Sequence, residues 1–164
     1  MNRLVSAVCL AAGFALTAAP VAAKDSLGVF GSWAAFRDAD TPRCYAIAAP
    51  RSSAKTQSFA SIGIWPSAKV RGQVHFRLSR PAASDTRARL VIGNQRFELV
   101  TAGDNAWAPD SGQDAAIIAA LRSASRMSVS ARAAGGGRFT DRYYLEGVAT
   151  AIDASLVGCA TFKP

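Results

Sequence analysis

Few side chains in this sequence could do chemistry at neutral pH. They are the cysteines Cys44 and Cys159, the single histidine His75, scattered carboxylates and a large set of arginines. A cysteine can be a nucleophile, a metal ligand or half of a disulfide. A nucleophile needs a base, and His75 is the only imidazole. A zinc site needs three or four ligands at characteristic spacing, which two cysteines and one histidine do not supply. Cys9 lies in an apolar leader. Cys44 and Cys159 are therefore read as a disulfide between the two ends of the exported chain.

His75 lies among Arg71, Gln73 and Arg77 on the polar parity of an alternating stretch. No carboxylate is near in sequence to make it a base, so it reads as a solvent-facing side chain. Asp38, Asp40, Asp104, Asp110, Asp141, Glu146 and Asp153 show no spacing that nominates a glycosidase pair. The serines lack a nucleophile elbow. Gly135 to Gly137 lacks the Lys and Ser/Thr of a phosphate loop and reads as a flexible hairpin tip or loop. No catalytic residue, metal ligand or cofactor is nominated, and the chain reads as a non-enzyme. The rival reading is an enzyme whose site is assembled from residues distant in sequence.

The arginines carry the one physical claim to function. The chain has 19 basic and 11 acidic residues, a formal net charge of +8. Arg71, Arg77, Arg87, Arg89 and Arg96 fall on or between three strand candidates, opposite in parity to Phe76, Leu78, Leu90, Ile92, Phe97 and Leu99. If those strands pair as a meander, the five guanidiniums form an anion-binding face. A wet sheet face carries polar residues in any case, so solvation alone is the plainer account. Trp33, Trp65 and Trp107 could line a carbohydrate or lipid groove, although core packing is the commoner use of tryptophan.

The elements that must position these groups can be read from pattern. Met-Asn-Arg, an apolar run from Leu4 to about Leu16 and small residues at Val21 and Ala23 predict a secretory signal cleaved after Ala23. The run is too short for a membrane span. Residues 24–164 then form one domain in the periplasm or beyond, with no transmembrane segment and no nucleic acid within reach. Lipid head groups, lipopolysaccharide, acidic glycans and host surfaces are the anionic partners available there. Alternation predicts a strand over Val70 to Leu78, and Leu90 to Ile92, Gly93-Asn94 and Arg96 to Val100 predict a hairpin. Cys44 to Ala48, Ser58 to Trp65 and Met127 to Arg132 are further strands. Ser111-Gly-Gln-Asp114 reads as a capping box opening a helix to Arg122, and about Val148 to Leu156 as a second helix. Together these predict a mostly β fold, an antiparallel β-sandwich with one or two short helices.

The ordered set Gly31-Ser-Trp33, Arg43 to Ala48, Ala106-Trp107, Ala116 to Arg122, Met127-Ser-Val129, Asp141 to Gly147 and Cys159 resembles the invasion-associated locus B family of exported alphaproteobacterial proteins. The likeness spans nearly the whole chain after residue 23. It implies a strand-rich periplasmic fold and supplies no catalytic residues. Many members place a cysteine four residues after the tryptophan, where this chain has Arg37. That departure leaves Cys159 as the partner for Cys44.

Overall fold

The computed structural model describes residues 24–51 and 57–162; the expected signal segment, residues 1–23, lies outside them. Ten strands run in chain order: β1 (Asp25–Phe30), β2 (Trp33–Asp38), β3 (Arg43–Ala48), β4 (Phe59–Trp65), β5 (Val70–Arg77), β6 (Ala88–Ile92), β7 (Gln95–Ala102), β8 (Asn105–Trp107), β9 (Arg126–Arg132) and β10 (Arg138–Tyr144). Helix α1 (Ser111–Leu121) lies between β8 and β9, and α2 (Val148–Cys159) follows β10. All pairings are antiparallel, in one sheet of order β1-β2-β3-β4-β5-β8-β7-β6-β9-β10. The mostly β, antiparallel expectation is met, with both helices present.

The two layers of this fold are continuous. Residues 95–99 of β7 pair with β6, and residues 100–102 of the same strand pair with β8. One strand thus serves both layers, and the sheet bends there and folds back on itself. Phe76 of β5 consequently meets Tyr143 of β10 at 6.2 Å between ring centres. The outer edge of β10 is covered by groups from the other layer. Arg51 N–H donates to Arg142 O at 2.8 Å, Trp33 Nε1–H to Tyr144 O at 3.0 Å and Ser32 N–H to Glu146 O at 3.1 Å.

Period-two alternation explains which side chains line the interior. In β4 Ala60, Ile62 and Ile64 are buried while the residues between them are half-exposed. The same pattern buries Leu90 and Ile92 of β6, Met127 and Val129 of β9, and Phe139 and Tyr143 of β10. Fully burying an Ile, Leu or Phe contributes about 1.5–3 kcal/mol, so these rows hold the layers together. Alanines at 35, 46, 48 and 60 make the inner face of the first layer shallow. Helix α2 lies across β1 to β4 there, burying Val148, Ala151, Ile152, Ser155 and Cys159.

Helix α1 begins one residue earlier than the capping-box reading implies. Asp110 is its cap, accepting from Gln113 N–H at 2.8 Å. Asp114 instead reaches across to accept Val74 N–H of β5 at 2.8 Å, and burial raises its pKa. The helix lies close over β5 there: a Cβ at Gly72 would come within 2.5 Å of Ile118 Cδ1, the tip of that side chain. Cys44 of β3 and Cys159 at the end of α2 form a disulfide spanning 115 residues, with Cα atoms 5.7 Å apart. It packs in a small cluster with Ile64, flanked by Leu156 and Phe162.

Candidate anion-binding face

The outward parity of the second layer is dominated by arginine. In β6, Arg89 and Val91 point away from the buried Ala88, Leu90 and Ile92. Register then places Glu98, Arg89, Ser130 and Thr140 in one row across β7, β6, β9 and β10. Arg96, Val91, Ser128 and Arg142 make the next row. Arg132 lies directly opposite Arg138, and Arg126 opposite Tyr144. Arg51, whose backbone is bonded to β10, adds a further guanidinium stacked on Tyr144 at 4.4 Å. All of these arginines are exposed.

Two hollows lie between them. One of about 110 Å³ is lined by Arg87, Arg89, Ser130 and Arg138 beside Glu98. The other, about 370 Å³, lies among Arg51, Arg126, Ser128 and Arg142. Glu98 is the lone carboxylate in these rows, and it is 3.8 Å from Arg87 Nε. Among the described residues, no carboxylate lies within ion-pair distance of the other arginines here. Unpaired guanidiniums beside hydroxyls can donate paired hydrogen bonds to phosphate or carboxylate oxygens.

The five arginines singled out in the sequence divide between two places. Arg87, Arg89 and Arg96 belong to this face. Arg71 and Arg77 lie on β5, which pairs with β4 and β8 and never with β6 or β7. All five share the outer surface of the one sheet, but the bend at β7 separates them, and Arg77 is held by Asp104 at 3.2 Å. Sequence reasoning missed Arg126, Arg132, Arg138 and Arg142. Their signal was present in Arg126-Met-Ser-Val-Ser-Ala-Arg132, where polar and apolar residues alternate. In β10 the alternation is broken by Asp141, a buried carboxylate that accepts Ser79 N–H at 2.9 Å.

The other flagged side chains take separate positions. His75 is half-buried on β5, with Nε2 2.9 Å from Asn105 Oδ1. Trp33 is in the core, while Trp65 and Trp107 are half-buried on the outer surface of the first layer. Among the described residues no group of three or more His, Cys, Asp or Glu side chains could hold a metal ion, and no helix is long and apolar enough to cross a membrane.

Comparison with known proteins adds a family. No curated protein and no solved structure matches the chain. The family described as Invasion associated locus B (IalB) protein matches residues 33–156, a span from the first residue of β2 into the last turn of α2. It takes in nine of the ten strands, α1, most of α2 and every arginine of the outer face described above. By that match the chain belongs to the invasion-associated locus B family.

Proposed function

We propose that this protein is a non-enzymatic binding module of the cell envelope, exported and freed of residues 1–23, which engages anionic surfaces through the outer face of β6, β7, β9 and β10. The observation that carries the reading is the set of arginine rows with Glu98 as their lone carboxylate. The disulfide supports the location, since such bonds persist in oxidising compartments. Each exposed arginine contributes at most about 1 kcal/mol, so affinity comes from several contacts to a multivalent surface. Phosphate-bearing lipids and acidic glycans present such surfaces.

The test is retention on anionic liposomes and on lipopolysaccharide, comparing the parent protein with an Arg89→Ser, Arg138→Ser, Arg142→Ser variant. The parent should bind at low salt and release as the Debye length shrinks from about 10 Å at 0.1 M to about 3 Å at 1 M. The folded variant should lose most of that retention. Equal retention, or none by the parent, would leave the rows as solvated surface only.

A further inference from the structure

The outer face of the first layer has a different composition. Between β3, β4 and β5 lies a cleft of about 430 Å³, within the range of small-molecule sites. Its walls are aromatic: Tyr45 on β3, with Phe59 and Trp65 on β4. Gly63, paired with Tyr45, leaves a notch in the strand. The Trp65 indole folds back over it, so closely that a Cβ at 63 would lie 3.0 Å from Nε1.

Arg43 lies against both rings, its guanidinium carbon 5.5 Å from the centre of Tyr45 and 5.3 Å from that of Trp65. Asp38 holds it there by accepting from Nε and Nη2 at 3.3 and 3.2 Å. The Thr41 backbone N–H and Arg43 together keep the Asp38 carboxyl below the usual carboxylate range, so it stays ionised and keeps its grip. The stack is thereby fixed before any ligand arrives, which reduces the entropy lost on binding.

Polar groups converge on the same space. Gln73 and Ser61 line it beside His75. Asn105 Nδ2 donates to Asp104 Oδ1 at 2.8 Å, so its Oδ1 must accept from His75 Nε2–H. In the neutral ring that leaves Nδ1 as an acceptor. Lys24 brings an ammonium 5.9 Å from the Tyr45 ring centre. Among the described residues, no carboxylate lines the cleft.

From this combination we propose that the cleft binds an acidic oligosaccharide, a sugar chain carrying carboxylates of the uronic acid type. The C–H face of a pyranose ring stacks on Tyr45 and Trp65. Gln73 and His75 Nδ1 meet its hydroxyls, and its carboxylate pairs with the Lys24 ammonium and the outward side of Arg43. A lipid chain would leave the amide, imidazole and ammonium groups unmatched. The site is separate from the arginine rows, on the other side of the bend at β7.

The test uses galacturonic acid trimer as the probe and maltotriose as its neutral counterpart, read by intrinsic tryptophan fluorescence and by amide chemical shifts. The acidic trimer should give a saturable change, with shifts clustered on β3, β4 and β5, and should bind more tightly than maltotriose. Lys24→Gln and Tyr45→Ala, each checked for native circular dichroism, should each weaken it about three- to tenfold. Arg89→Ser, Arg138→Ser, Arg142→Ser should leave it unchanged. No saturable binding, equal binding of both trimers, or binding lost in the arginine variant alone would overturn the assignment. Should Tyr45→Ala fail to fold, Lys24→Gln and the shift map still decide it.

Discussion

Two stretches of one sheet surface differ in what their cations are free to do. Among the described residues, the outward guanidiniums of β6, β9 and β10 have no carboxylate within ion-pair distance, and just before β6 Arg87 makes only a long pair with Glu98. On β3 the one arginine of the cleft is held by Asp38 and two aromatic rings. The backbone scaffold is the same in both, antiparallel strands with alternate residues buried. The outward parity sets the contrast: mainly arginine, serine and threonine on one stretch, and tyrosine, tryptophan, phenylalanine and glycine beside Ser61, Gln73 and His75 on the other. An unpaired set of flexible cations suits a surface of many weak contacts, whereas a fixed stack suits one shaped ligand.

The contrast is broken most severely at the disulfide, which ties only the aromatic layer to α2. Cys44→Ser with Cys159→Ser should cost about 2–5 kcal/mol, seen as a lowered denaturation midpoint. Hydrogen exchange should rise first in β3, β4 and α2, while β6 and β9 stay protected; equal loss everywhere would show that the two layers open as one unit. A smaller effect follows from Gly63→Val. The added side chain displaces the Trp65 indole at a cost of about 1–3 kcal/mol. Fluorescence should shift and trimer binding should weaken, with liposome retention unchanged.

The smallest expected effect lies where the helices meet. Arg122 at the end of α1 bonds Asp153 of α2 at 2.6 Å, holding that carboxyl below its ordinary value. A depressed folded pKa means stability present above the unfolded value near 4 and lost as pH falls through the folded one. Asp114 has the opposite sign, because burial raises its pKa: its contribution is present below the unfolded value and lost as pH rises through the folded one. Asp153→Asn should therefore flatten the acid side of a melting-temperature profile, by well under about 1 kcal/mol for so exposed a pair. An unchanged profile would mean that this pair adds nothing to the junction.

Much of this architecture is legible in the residues, and what is hidden has physical reasons. Alternation reveals β5, β6, β7 and β9, and Gly93-Asn94 marks the turn of a hairpin whose Gly93 has φ 54°. The cysteine pair follows from counting. The strands not anticipated are β1, β2, β8 and β10. β8 has only three residues, too few to show a period. β2 holds alanines on both parities, so its sides look alike. β10 places Asp141 inward, where its bond to Ser79 offsets the burial. Without β8, β5 reads as a direct neighbour of β6 and β7, which gives Arg71 and Arg77 the wrong companions. The cleft is hidden for another reason: Tyr45, Trp65 and His75 come from three strands, and only register brings them together.

The covered edge of β10 also sets when the protein can finish folding. Its carbonyls at 142 and 144, and that of Glu146 just beyond it, are met by Arg51, Trp33 and Ser32 from the first quarter of the described chain, and the Trp33–Tyr144 bond spans 111 residues. Hairpins such as β6–β7 and β9–β10 can form locally and quickly, but this closure waits until the last strand is available. Such long-range closure slows folding relative to chains of local contacts. Until it happens, β10 presents an open row of backbone groups to any neighbouring strand. The early segment that carries Trp33 therefore acts as a latch, one that a nascent chain cannot fasten until its far end has arrived.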